Sequence, residues 1–435
     1  VTPDIASPDT SPLRIANFRA YWLSRLSMTL AQYAMMLIIG WQTYNIARDG
    51  GMGVGEASGQ LALIGLLQFV PLFLLTPFSG WAADHFDRRN LGRLTVLLQL
   101  LCAGILAWLT WTDTIALPWI FGVAILLGIA RAFAGPALSA LAPNLVPKTI
   151  LPNAIALSSI SWQVGMIVGP AVGGYFYAVF PSLPYIVAGG LFLVSITALS
   201  FIGKVPQPPR PHNQRPIHAM VEGLRYVVRN KMVLGAITLD LFAVFLAGAT
   251  ALFPVYARDI LQVGETGLAQ LAMAPAVGAA LTALWFSFRP LKTQVGPKML
   301  WAVAIFGVAT IVFGVSTSMP LSLAMLFIVG AADMFSVYIR QSLIQLHTPD
   351  EKRGRVSSVS LLTISASNEF GDFFSGSLAY AIGPVAAVVS GGAGALITVA
   401  AWTKIFPVLR TTRTFDPPEE LQEQTPEEKL QEQIP

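Results

Sequence analysis

Long stretches without a single charged side chain constrain this chain more than any other feature. No Asp, Glu, Lys or Arg occurs between Arg25 and Arg48, between Glu56 and Asp84, or between Arg93 and Asp113. The same holds from Lys148 to Lys204, Glu265 to Arg289 and Asp372 to Lys404. A bilayer core of ~30 Å is crossed by about 20 apolar helical residues, so each block has room for one helix or two. Strands of a membrane barrel would alternate polar and apolar with period two, and these blocks do not. Charged residues make up 11% of the chain, against roughly 25% in a soluble domain.

The pattern predicts an all-α membrane protein with twelve transmembrane helices. The first six spans are expected near 20–46, 59–83, 93–113, 117–142, 152–180 and 184–204. The second six are expected near 232–257, 266–288, 298–317, 321–343, 356–380 and 384–406. Short turn signals separate neighbours, as at Phe180-Pro181-Ser182-Leu183-Pro184 and Ser318-Met319-Pro320. Of the 27 Lys and Arg residues, only Arg48 and Arg258 fall in the loops after spans 1 and 7. Arg25, Arg131 and Arg340 lie within spans, and all the others lie in the termini or the even-numbered loops. Positive charge marks the cytoplasmic side, so both termini are expected inside, in a bacterial inner membrane. The pI near 9.2 is then a topology signal, and nucleic acid is not an expected partner. No removable signal peptide is expected. Cys102 is the single cysteine and can form no intrachain disulfide. The histidines, His85, His212, His218 and His347, fall on loops and suggest no metal site. No cofactor is expected.

A stretch rich in proline, Val205-Pro206-Gln207-Pro208-Pro209-Arg210-Pro211, reads as a stiff linker. An amphipathic helix near Ile217–Arg229 follows it, expected to lie on the membrane face. The expected organisation is a segment 1–19, a six-helix bundle 20–204, a linker 205–231, a second bundle 232–407, and an acidic, disordered tail 408–435. The halves repeat weakly. A shift of 202 residues superposes Gly128 on Gly330, Phe133 on Phe335, Gly169 on Gly371 and Gly174 on Gly376, and Ala47-Arg48-Asp49 recurs as Ala257-Arg258-Asp259. Such repeats, placed at matching points of the topology, point to a duplicated six-helix unit of the kind transporters use.

Charges inside the spans are expensive and mark function. Arg131 in span 4 has no acid in the spans of its own half and can meet there only groups such as Gln99 or Gln163. The other half holds Asp240 in span 7, Asp333 in span 10, and Glu369 and Asp372 in span 11, the last two sharing a helix face. Carboxylates in low dielectric take up protons near neutral pH, so these four acids, with Arg131 as the opposite charge that stays fixed, are the candidates for proton coupling. Gln32, Gln42, Arg131, Asp240 and Asp333 are the candidate substrate contacts.

The loop after span 2 reads Gly80-Trp81-Ala82-Ala83-Asp84-His85-Phe86-Asp87-Arg88-Arg89. It resembles the major facilitator signature G-x-x-x-D-(R/K)-x-G-(R/K)-(R/K), with His85 for the first basic residue and Asp87 for the second glycine. The resemblance implies a gating role for Gly80, Asp84, Arg88 and Arg89. Span 5 carries Gly165-Met166-Ile167-Val168-Gly169-Pro170-Ala171-Val172-Gly173-Gly174, which resembles the motif of the superfamily's export branch. Gly165 and Gly169 form a small-xxx-small face for close packing, and Pro170 permits a bend. Further stretches, Phe18-Arg19-Ala20-Tyr21-Trp22-Leu23-Ser24-Arg25, Glu222-Gly223-Leu224-Arg225-Tyr226 and Pro349-Asp350-Glu351-Lys352-Arg353-Gly354-Arg355-Val356, resemble the transmembrane secretion effector family, to which the enterobactin exporter belongs.

That resemblance implies a monomeric carrier of two six-helix bundles around a central cavity lined by spans 1, 4, 7 and 10. The expected function is proton-driven efflux of a small amphipathic molecule, siderophore-like or drug-like, by alternating access. The rival readings are an importer of the same fold and a non-transporting receptor or scaffold. No nucleophile–base pair or metal set points to an enzyme.

Overall fold

The computed structural model describes residues 11–203, 216–289 and 291–415. The proline-rich part of the linker and the acidic tail beyond 415, both singled out in the sequence, lie outside them, as do some side chains within helices.

The first half holds α1 (Ala16–Asp49), α2 (Val54–His85), α3 (Arg88–Trp111), α4 (Leu117–Leu141), α5 (Leu151–Val179) and α6 (Leu183–Phe201). The short α7 (Pro216–Arg229) follows the linker. The second half holds α8 (Lys231–Ala247), the single turn α9 (Phe253–Val255), α10 (Gly264–Phe288), α11 (Val295–Val315), α12 (Met319–Leu346), α13 (Asp350–Ile382) and α14 (Pro384–Ile405), and α15 (Pro407–Thr411) ends it. Among the described residues there is no strand.

Ten of the long helical stretches are apolar enough to cross a membrane. The two further long helices, α1 and α13, run 34 and 33 residues and are the more polar ones, since they carry Arg25, Gln32 and Gln42, and Asn368, Glu369 and Asp372. Polarity in a spanning helix is tolerated where the helix is covered by protein rather than lipid, and α1 and α13 each pack against several others.

The seventh span departs from the expected continuous helix. The regular part stops at Ala247, Gly248 leaves the helical region (ψ 91°), and the chain re-enters through a turn at Thr250–Leu252, α9, and a π-helical turn Tyr256–Ile260. Gly248 supplies the break and Pro254 starts the next turn, because proline has no N–H to continue an existing ladder. At the other end of this half, the chain remains packed through Phe415. Leu409 is fully buried and the Val295 N–H donates to the Arg413 carbonyl, so order extends past the expected tail boundary at 408.

The internal repeat is visible as matched packing. In the first half α1 packs on α5 and α6, α2 on α4, and α3 on α4 and α6. In the second, α8 packs on α13 and α14, α10 on α12, and α11 on α12 and α14. The halves meet where α2 packs on α13 and α5 on α10. Equivalent glycines make these seams. A Cβ on Gly174 of α5 would lie 2.5 Å from the Ala269 Cβ of α10, and one on Gly376 of α13 would lie 2.8 Å from the Ala62 Cβ of α2. Only a hydrogen fits at either place, so the helices approach to backbone contact.

Each half has its own apolar core. Phe18, Ile38, Val96, Leu106 and Phe192 anchor the first, and Leu239, Met299, Ile339 and Leu409 the second. A third cluster joins the halves, with Trp41, Tyr44 and Leu61 against Leu252, Tyr256 and Leu268. It lies toward the face that carries Arg48 and Arg258, called here the arginine-poor face. The opposite face, with the α2–α3 and α12–α13 loops, is the basic face.

Candidate functional site

Three of the predicted polar residues, Arg131, Gln32 and Gln42, sit within the first half. Arg131 of α4 is half-buried and donates through Nη1 to Gln68 Oε1 of α2 at 3.2 Å. Gln32 of α1 donates to Gln99 Oε1 of α3 at 2.7 Å. Gln42 of α1 is buried, donates to Thr110 at 3.1 Å and accepts from the Tyr185 hydroxyl at 2.8 Å. Gln42 therefore belongs to the α1–α3–α6 interior, where its amide offsets the cost of a buried phenol, and not to a substrate cavity. Gln68 was absent from the sequence reasoning. Its signal was the depth it shares with Arg131 on a neighbouring helix.

The acids of the second half divide. Asp240 of α8 forms an ion pair with Arg340 of α12, with side chains only 9% and 3% exposed. This corrects the expectation that Asp240 lines the cavity as an opposite charge for Arg131, because its carboxylate is engaged within its own half. Asp372 of α13 accepts from the Thr250 hydroxyl at 2.9 Å, which ties α13 to the broken part of the seventh span. Asp333 lies on α12 seven residues before Arg340, about 10 Å along the helix axis. It forms no ion pair among the described residues. The side chain of Glu369 lies outside those described.

The α2–α3 loop is resolved by its departure from the family signature. Asp87 is the N-cap of α3 and accepts from the Arg89 N–H at 2.9 Å. The Arg89 guanidinium closes on the same carboxylate at 2.6 Å and donates to the Ile202 carbonyl at the end of α6 at 2.9 Å. Arg93 donates to the Leu199 carbonyl at 2.9 Å. Hydrogen bonding from Arg89 holds the Asp87 carboxyl below the ordinary carboxylate range. An acid in place of the second glycine thus turns the loop by capping rather than by backbone freedom, and Arg89 joins α3 to α6. The Asp84 side chain lies outside those described, and Gly80 and Asp84 fall in the last turns of α2, with Arg88 opening α3.

The glycines of α5 work on two faces. A Cβ on Gly169 would stand 2.6 Å from the Tyr33 Cβ, and one on Gly173 2.8 Å from the Ala34 carbonyl oxygen, while Gly165 lies against Thr29. All three neighbours belong to α1. Gly174 turns instead to α10 in the other half, and Pro170 is buried between these contacts. The motif therefore clamps α5 to α1 and seats the pair against the second half.

Between the halves, beside Gln68, lies a run of rings that the sequence reading did not single out. Phe69 of α2 faces Phe370 of α13 with centroids 5.6 Å apart, and Phe370 stacks on Phe245 of α8 at 5.6 Å and 13°. Phe73 and Phe374 extend it at 5.5 Å and 4.8 Å. Its signal was Phe370, Phe373 and Phe374 on one short stretch of α13. The region where α13 packs on α2 and α8 thus offers aromatic faces between the halves.

Two matched six-helix halves, meeting along α2–α13 and α5–α10 with ionisable residues in α4, α8, α12 and α13, define a membrane transporter of the major facilitator class. The chain belongs to the transmembrane secretion effector family, whose model matches residues 7–434. It is a multi-pass membrane protein of a transporter family, not an enzyme. It is 28% identical to the multidrug efflux pump Tap of Mycobacterium tuberculosis over 352 residues, covering 77% of this chain and 78% of the relative. It is 25% identical to the enterobactin exporter EntS of Escherichia coli over 396 residues, covering 89% and 90%. Among solved structures, a bacterial homolog of the human lysosomal transporter Spinster shares the fold with TM-score 0.69 at 16% identity, covering 91% of this chain and 99% of that one. A D-xylose–proton symporter shares it with TM-score 0.67 at 13% identity, covering 90% and 98%.

Proposed function

We propose that this chain is a secondary efflux carrier that moves a small amphipathic organic molecule, drug-like or siderophore-like, out of the cytoplasm by alternating access in exchange for protons. The observation that carries the reading is the matched pair of glycine seams. Two internally cored halves touching along equivalent surfaces can rock as bodies about a shared axis, which opens a central site to one side at a time. Export as the direction is supported by the relatives, an efflux pump and an exporter, and by the span-5 motif.

The distribution of Lys and Arg supports placing the basic face and both termini in the cytoplasm. On that placement the joint cluster of Trp41, Tyr44, Leu252 and Tyr256 closes the outer side. Aromatic faces between the halves, together with the Arg131 guanidinium of α4, suit a flat, partly apolar molecule with a polar or anionic group. With Asp240 held by Arg340, Asp333 and Glu369 are the first candidates to exchange protons, and Asp372 follows. Arg131 stays charged throughout the cycle and sets the local field.

The test is a strain stripped of its other exporters, with and without this chain, scored against dyes, antibiotics and catecholate siderophores for resistance or secretion. Gain of either for at least one compound supports efflux. Hypersensitivity or uptake of the same compounds on expression would favour an importer.

A further inference from the structure

The tripeptide Ala47-Arg48-Asp49 closes α1, and Ala257-Arg258-Asp259 lies in the π-helical turn that ends the seventh span. The structure brings the two copies face to face and crosses their charges. Arg48 Nη2 meets Asp259 Oδ1 at 3.2 Å, with Nε on the other oxygen at 3.2 Å. Arg258 Nη2 meets Asp49 Oδ1 at 2.5 Å. Each arginine is also fixed from its own or the facing backbone, Arg48 by the Met52 carbonyl at 2.7 Å and Arg258 by Asn45 through its carbonyl at 3.2 Å and its side-chain oxygen at 2.6 Å. The Tyr44 hydroxyl donates to Asp259, and its ring is buried in the cluster that joins the halves.

We infer that these four charges form a reciprocal latch that holds the arginine-poor face closed and sets the balance between the two facings of the carrier. The inference rests on the alternating-access reading. Its logic is that of a two-fold interface: each half gives one arginine and one aspartate, so any rotation that separates one pair separates the other. Arg48 and Arg258 are the only Lys or Arg residues in the loops at this face, and both are spent on the facing half. Arg48, Asp259 and Arg258 are 22–27% exposed and Asp49 is 69% exposed. Exposed pairs of this kind are individually weak, about 1 kcal/mol or less. That strength suits a gate, since a latch must bias an equilibrium without freezing it.

The test reads facing directly and needs no substrate. In a Cys102→Ser background, spin labels at Thr114→Cys and Thr317→Cys report the arginine-poor face of the full-length chain in lipid nanodiscs. Labels at Asn90→Cys and Gln345→Cys report the basic face. Asp49→Arg sets two arginines against Arg258 and should raise the population with the arginine-poor face open roughly five- to tenfold, while the basic-face distance shortens. Adding Arg258→Asp leaves one half with two arginines and the other with two aspartates, and should restore the closed population. The milder Asp49→Asn and Arg258→Gln should shift the balance in the same direction by roughly two- to fivefold, and they serve if Asp49→Arg does not insert. Two interconverting distances in the unmodified chain that no latch variant shifts would overturn the latch and leave rocking intact. One fixed distance at both faces in every variant would overturn rocking and the latch with it.

Discussion

Arg340 and Asp240 show how a residue's role is settled by its partner. Both were visible in the sequence as in-span charges, but only the structure pairs them, at similar depth in adjacent α12 and α8. Periodicity gives a residue's depth in the bilayer, whereas pairing also needs the rotation of each helix about its axis. The pairing reverses what Asp240→Asn should do. It should leave a buried guanidinium uncompensated and cost about 3–5 kcal/mol of stability, instead of leaving a folded carrier that merely loses coupling. Arg340→Met combined with Asp240→Leu should recover most of that loss, and thermal melting in detergent of the three variants checks both statements. Asp87 gives a smaller case. Asp87→Ala removes the α3 cap and should cost about 1 kcal/mol, whereas Asp87→Asn should retain the cap. Because Arg89 lowers the Asp87 pKa, the stabilisation from its charge is present above the ordinary carboxylate range of about 4. It is lost only as pH falls through the depressed value. Melting the Asp87→Asn variant beside the unmodified chain should show a difference that persists to acid pH before closing.

At the scale of elements, every long helix except the seventh span was legible to within six residues at either end, because an apolar block bounded by charge or proline leaves a spanning chain few alternatives. The close face of α5 was legible for the same kind of reason, since glycines at small-xxx-small spacing have one common use in a membrane. What α5 packs against was not legible; it is α1 through Gly165, Gly169 and Gly173 and α10 through Gly174. The break after Ala247 was missed because Gly248 sits in an uninterrupted apolar run, where glycine is ordinary in membrane helices. Gly169→Leu should disrupt insertion or lock the carrier, since the larger side chain meets the Tyr33 Cβ and the Leu30 carbonyl of α1. Detergent-stable, transport-competent protein from that variant would show that α1 and α5 separate more readily than their packing suggests. Gly174→Leu should act differently, leaving the first half folded while driving the halves apart, and protection of α5 and α10 in hydrogen exchange would separate the two outcomes.

At the scale of the molecule, duplication organises packing more faithfully than it organises charge. Equivalent helices touch equivalent helices throughout, yet Arg131 and Asp333 occupy equivalent positions with opposite sign. On the proposed function, Arg131 in the first half would be the fixed charge and Asp333, Glu369 and Asp372 of the second half the groups that titrate. On this account Asp333→Asn should sharply reduce substrate-induced proton release in detergent while binding persists, whereas release equal to that of the unmodified chain would pass the role to Glu369. The central claim is export by a carrier that faces one side at a time in exchange for protons. It is tested most directly by initial rates of entry, in vesicles of both orientations, for a compound whose resistance or secretion depends on this chain. Export predicts uptake into inside-out vesicles with an acid interior, abolished by a protonophore. Faster entry into right-side-out vesicles under an outside-acid gradient would contradict it.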